Sequence, residues 1–132
     1  MIMKKRPPTE VLIVEDEPLT RMDAADAISD SGLPIREAGD AKEALKILKH
    51  NSDIGILFTD IDMPGPMNGL GLAEQVHVNR PEVELIVTSG ATTLQDSDLP
   101  DSGTFLPKPY RMTRLLEVVK HKLANHERRQ SD

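Results

Sequence analysis

The sequence predicts an α/β fold: a doubly wound parallel sheet with helices on both of its faces. Three observations carry that prediction. Short β-branched apolar runs alternate with stretches of helical periodicity along most of the chain. The first run, Val11-Leu12-Ile13-Val14, is continuously apolar, as a strand covered on both faces must be. The length of 132 residues suits one domain, and a chain of that size buries about two-thirds of its unfolded surface.

The elements follow in order. Residues 1–9 are basic and proline-containing and form a tail; the domain spans 10–126, and the polar residues 127–132 are a second, fraying tail. After the first strand, Leu19, Met22, Ala25 and Ile28 recur at helical spacing, and Gly32 ends that helix. Ile35 to Ala38 is a weak second strand. Asp40 and Glu43 form a capping-box signature for a helix through Lys49. Ile54 to Phe58 is the third strand, and MPGPMNG beyond it is turn chemistry. Leu70, Ala73 and Val76 mark a third helix that closes before Pro81, and Leu85-Ile86-Val87 is the fourth strand. Residues 91–102 are polar and interrupted by Pro100, so the fourth helix is short or irregular. Thr104 to Leu106 is a fifth strand, and the last helix runs from Met112 to about Asn125 with Leu116, Val119 and Leu123 on one side. Five such units fit the flavodoxin-like (βα)5 strand order 2-1-3-4-5.

Composition removes several function classes. The net charge of −6 repels phosphate backbones and anionic lipid, so no nucleic-acid or membrane partner is expected. Phe58, Phe105 and Tyr110 are the whole aromatic complement, too few for a base-stacking platform. Without cysteine there are no disulfides, thiol chemistry or thiolate metal sites. No apolar stretch approaches the roughly 18 residues of a membrane span, and MIMKKRPP lacks the apolar core of a secretory signal. A cytoplasmic location is expected.

The informative residues follow the strands. The first strand ends in Glu15-Asp16, the third in Thr59-Asp60 with Asp62 just beyond, the fourth in Thr88-Ser89, and the fifth in Pro107-Lys108. In a parallel sheet these ends share one edge, where open α/β sheets bind ligands. Two carboxylates about 4 Å apart repel by about 4 kcal/mol at an effective dielectric of 20, so several acids there call for a cation or a raised pKa. Oxygen donors without His or Cys favour Mg²⁺ over zinc. Each residue has an ordinary reading too: acids after strands cap helices, Asp60 suits an Asx turn, and Phe105 suits the core. The histidines His50, His77, His121 and His126 are expected at the surface.

VLIVEDE, LFTDIDMPG, IVTSG and FLPKPY, in that order, resemble the receiver domain of two-component response regulators over about Val11 to Leu123. The resemblance implies a signalling switch, not an enzyme. Asp60 would accept a phosphoryl group from the phosphohistidine of a sensor histidine kinase or a phosphotransfer protein, and partner binding would change in response. It implies Mg²⁺ held by Asp16, Asp60 and the backbone carbonyl of Asp62, with Glu15 acting mainly through metal-bound water. Lys108 would be the family's lysine, followed by a cis Lys108–Pro109 bond. Thr88 would be the switch hydroxyl, with Ser89 as the alternative, and Phe105 the rotating aromatic. A monomer or weak homodimer without an output domain is expected.

Three rival readings stand beside it. Asp60-Ile-Asp62 also resembles the Asp-x-Asp of haloacid-dehalogenase-like phosphatases, but that family carries it on the first strand. A receiver joined to a hybrid kinase and a receiver-like binding module that is never phosphorylated are the others. The carboxylate of Asp62 is itself a departure, since many relatives carry an amide, basic or apolar side chain there.

Overall fold

The computed structural model describes residues 8–100 and 102–131, so residues 1–7 of the predicted tail lie outside the described residues. Strands β1 (Glu10–Val14), β2 (Ile35–Ala38), β3 (Ile54–Asp60), β4 (Glu84–Ser89) and β5 (Thr104–Pro107) pair in parallel. Their order is β2-β1-β3-β4-β5, as the sequence predicts. Helices α1 (Pro18–Asp30), α2 (Ala41–His50), α3 (Gly69–Asn79) and α4 (Met112–Ser131) complete the described elements, with one 3₁₀ turn at Asp96–Asp98. The chain leaves β1 for one side and returns to β3 on the other, which opens a crevice at the strand ends between them.

Alternation along the strands divides the core into two layers. Val11, Ile13, Ile56, Phe58 and Ile86 face Ala24, Ala25 and Ile28 of α1 and Leu115 and Val119 of α4. Leu12, Val14, Leu57, Leu85 and Val87 face Ala44 and Leu48 of α2 and Leu72, Ala73 and Val76 of α3. Side chains close the helix starts. Glu17 accepts from the Leu19 amide at 3.0 Å, Asp40 from Glu43 at 2.8 Å, and Asn68 from Gly71 at 2.9 Å. Gly32 ends α1 at φ +102°, a conformation that favours glycine. Arg80 donates to the carbonyls of Leu48, Asn51, Ser52 and Ile54, which closes the end of α2 and the turn into β3.

Three expectations need correction. Leu19 and Met22 are 69% and 53% exposed: α1 begins at the strand ends, so its first turn has no sheet beneath it. The expectation of a short or irregular fourth helix holds: among the described residues between β4 and β5 only the 3₁₀ turn stands, and Asp96 accepts from the Phe105 amide at 2.8 Å, capping the free edge of β5. Helix α4 continues to Ser131 because its buried seam turns from apolar to polar: Leu115, Val119, Lys122, His126. His126 is therefore buried, not at the surface. Its Nδ1 lies 3.0 Å from the Glu82 carbonyl, and its ring occupies space that Gly55 leaves open, since a Cβ there would stand 2.6 Å from Nε2.

That polar seam is a buried ion cluster. Glu84 pairs with Arg129 at 2.9 Å and with Lys122 at 4.0 Å, and Lys122 donates to the Ser102 carbonyl. Burial pushes the Lys122 ammonium below its usual range, with the Glu84 charge acting against that. Removing one partner leaves the other charge buried and uncompensated. Glu84→Ala is expected to lower stability by about 3 kcal/mol in urea unfolding, with the loss read as a lower midpoint.

Candidate functional site

The acidic residues gather where the strands end. Glu15 extends β1 by one residue, its amide donating to the Ala38 carbonyl at 3.1 Å. Asp60 is the last residue of β3 and stands in register with Thr88 of β4. Parallel pairing thus brings residues distant in sequence onto one edge, and side-chain alternation turns Glu15, Asp60 and Thr88 toward the α1/α4 side of the sheet. Carboxylate oxygens of Glu15, Asp16 and Asp60 lie within 4.8 Å of one another. Lys108 enters from the end of β5, its amide donating to the Ser89 carbonyl at 3.0 Å and its peptide bond to Pro109 being cis. Its ammonium is 2.8 Å from Glu15 Oε1 and 3.5 Å from Asp60 Oδ1.

The turn after β3 is held just as tightly. The Ile61 amide donates to the Thr88 carbonyl at 2.9 Å, and the Ile61 carbonyl accepts from Met63 and Gly69, both at 3.0 Å. Gly69 is required by this close approach, because a Cβ there would stand 1.8 Å from the Asp60 carbonyl oxygen.

Electrostatics distinguish the carboxylates. Burial pushes Glu15 up, but the bond from Lys108, the Glu17 amide and the Lys108 charge together hold it below the usual carboxylate range. Asp16 is raised by burial and by its neighbour Glu15, although its side chain faces solvent. Asp60 is pushed up to about 6, first by burial and then by the Glu15 charge, with Lys108 opposing. Burial pushes the Lys108 ammonium down, but its bond to Glu15 and the Asp60 charge outweigh that and raise it. Asp60 Oδ1 and Thr88 Oγ1 are both buried without a hydrogen-bond partner among the described residues. Both residues line a void of ≈ 10 Å³ together with Thr20, Phe58 and Tyr110. Unsatisfied buried oxygens beside an exposed carboxylate and an ammonium are the donor set a hard cation and an anion would satisfy together.

Of the residues singled out in the sequence, Glu15, Asp16, Asp60 and Lys108 come together and Thr88 lies beside them. Phe105 does not: it packs in the other layer, with Val87 and Leu99. The Asp62 carboxylate stands apart from the cluster and accepts the Ser89 hydroxyl proton at 2.6 Å, while Ser89 Oγ accepts from the amides of Ala91 and Thr92 at 3.2 and 2.9 Å. Sequence reasoning missed Tyr110, whose ring stands edge-on to Phe58 at 5.9 Å, and Arg21, which donates to the Glu15 carbonyl at 2.7 Å. Position two after the lysine was a signal for Tyr110; nothing in the spacing marks Arg21.

The Asp60 shift has a consequence for stability. The folded state holds the Asp60 proton up to a pH of about 6, whereas the ordinary group loses it near 3.8. The folded state therefore binds more protons between those values, and this group's penalty grows as pH rises from 3.8 to 6 and is full above 6. Without divalent ions, Asp60→Asn is expected to melt above wild type at neutral pH. The gap should close when melting is repeated below the ordinary carboxylate pKa, and a gap independent of pH would contradict the assignment.

Comparison with known proteins agrees with this geometry. Residues 11–120 match the response regulator receiver domain family. The chain is 32% identical over 121 residues to the sensor kinase CckA of Brucella abortus (strain 2308), covering 89% of this chain and 13% of that protein. It is 32% identical over 122 residues to the transcriptional activator protein ExaE of Pseudomonas putida, covering 88% of this chain and 56% of the relative. The chain thus spans a minor to a middling share of the curated relatives it matches. Among solved structures, a CheY-like receiver domain protein from Methanospirillum hungatei JF-1 superposes with a TM-score of 0.83 at 26% identity, covering 93% of this chain and 99% of that one. The receiver domain of the hybrid histidine kinase CckA superposes with a TM-score of 0.75 at 33% identity, covering 86% and 98%. This chain belongs to the response regulator receiver domain family of two-component signalling.

Proposed function

We propose that the chain is a phosphorylation switch in which Asp60 accepts a phosphoryl group from the phosphohistidine of a sensor kinase or phosphotransfer protein. The observation that carries this reading is the meeting of Asp60, Glu15, Asp16 and Lys108 at one strand edge. An Asp60 carboxylate oxygen attacks phosphorus in line, the bond from phosphorus to the donor imidazole nitrogen breaks, and the imidazole leaves with that electron pair. Asp16, Asp60 and the Asp62 backbone carbonyl would hold Mg²⁺, with Glu15 reaching it through water. The ion, when bound, screens the carboxylates and draws charge from the phosphoryl oxygens. Lys108 neutralises a second phosphoryl oxygen, and the Thr88 hydroxyl donates to a third. Thr88 suits that role better than Ser89, whose hydroxyl is already committed to Asp62 and to two amides.

Phe105 would respond indirectly, since it adjoins Val87 and not the pocket itself. The donor would dock across α1 and the start of α4, where a groove of ≈ 480 Å³ runs past Thr20, Asp23, Lys108, Tyr110 and Met112. The function is a switch with altered partner binding, and the reading holds for a receiver by itself or one joined to a kinase. No helix of the described residues is long and apolar enough to cross a membrane, and we place the domain in the cytoplasm with its phosphodonor. A purely structural module has no need to keep all five polar residues. A phosphatase reading fails on the position of Asp60-Ile-Asp62, which begins at the end of the third strand and not the first.

The test is phosphoryl transfer from phosphoramidate or a phosphohistidine donor with Mg²⁺, followed by intact mass. Wild type should gain one phosphoryl group, Asp60→Asn none, and the variant should keep its circular dichroism spectrum. Labelling of Asp60→Asn to the wild-type extent would overturn the assignment.

A further inference from the structure

Four hydrogen bonds hold Glu15, and one of them comes from a guanidinium of α1. Its amide donates to Ala38, Oε1 takes Lys108, and Oε2 takes the Glu17 amide at 3.2 Å. The fourth is the bond from Arg21 Nη1 to its backbone carbonyl, at 2.7 Å. The same guanidinium turns Nε toward Glu37 of β2 at 3.3 Å. Arg21, one turn into α1, therefore ties the loop after β1 to the neighbouring strand. Gly39 borders this guanidinium without constraining it, since a Cβ there would stand 3.6 Å from Nη1, an ordinary contact.

That carbonyl belongs to the peptide joining Glu15 to Asp16. A peptide unit is planar, so fixing its oxygen fixes the direction in which Asp16 leaves the strand. Asp16 is the exposed member of the cluster, while Glu15 and Asp60 are buried and held from several sides. We propose that Arg21 is a positioning residue of the divalent-cation site: its hold on the Glu15 carbonyl presents the Asp16 carboxylate to the same point as the oxygens of Glu15 and Asp60. This rests on the reading of those acids as a Mg²⁺ site.

Charge and position make opposite demands on this residue. A guanidinium close to a cation site repels the cation, so its removal tightens binding if charge is all that matters. Loss of a positioning bond weakens it, as the loss of outer-shell partners does in other metal sites. Arg21→Met keeps the aliphatic length and removes both charge and donors. Arg21→Lys keeps the charge but loses the planar fork that spans Glu15 and Glu37 at once.

The experiment is Mg²⁺ titration of the full chain by calorimetry and by fluorescence of Tyr110, the sole tyrosine in a chain without tryptophan. Arg21→Met should bind Mg²⁺ about tenfold more weakly than wild type. Arg21→Lys should bind about threefold more weakly. Melting temperatures of both should stay close to wild type, because only one partly buried bond and an exposed ion pair are lost. If Arg21→Met does not fold, Arg21→Lys alone decides. Binding by either folded variant as tight as wild type, or tighter, overturns the proposal. A wild-type chain that binds no Mg²⁺ overturns the cation-site reading itself, a separate result.

Discussion

Repulsion among three carboxylates at one end of the sheet is the constraint on which the rest of this molecule turns. Glu15, Asp16 and Asp60 are crowded within 4.8 Å, and among the described residues only Lys108 balances them directly. The lysine leans toward Glu15, its shorter contact, so Glu15 keeps its charge while Asp60 is pushed up to about 6. Carboxylates so close and partly buried repel one another, and that cost falls on Asp60.

The fold holds the repelling groups together by backbone, not by their own contacts. Glu15 is tied to β2, the residue after Asp60 is tied to β4, and Lys108 is tied to the end of β4 through the Ser89 carbonyl. Apolar layers on both sides of the sheet fix those strands in register. The Gly69 backbone then packs against the Asp60 carbonyl at a distance no side chain would permit. Local electrostatic strain is thereby spread over a sheet whose stability comes from elsewhere.

The departure from a regular (βα)5 pattern lies between β4 and β5. A polar segment with one 3₁₀ turn stands where a helix would cover β5. Leu94 and Leu99 fill part of that space, and Asp96 satisfies the outward Phe105 amide. At the start of the segment, Ser89 ties the Ala91 and Thr92 amides to Asp62 on the neighbouring turn. The extra acid in the β3–α3 turn and the missing helix are thus parts of one local arrangement.

The strands, their parallel order and the acids at their ends were legible in the sequence, because they depend on local apolar runs and on which residue follows each run. Asp60, Asp16 and Lys108 could be found from that rule alone. Helix faces were less legible. Periodicity gives the spacing of a stripe but not what lies under it, so the spacing that Leu19 and Met22 share with Ala25 and Ile28 does not reveal that the first two are exposed. His126 and Lys122 were invisible as core residues, since their burial depends on the glycine at 55 and on Glu84 from other strands. Arg21 and the Ser89–Asp62 bond were equally hidden. By itself the sequence determined the fold and the kinds of groups at the site, because short-range patterns encode both. Only the tertiary structure decided which carboxylate keeps its charge, which hydroxyl is free and which arginine bonds the carbonyl between the paired acids, because those follow from distances between elements that no local pattern records.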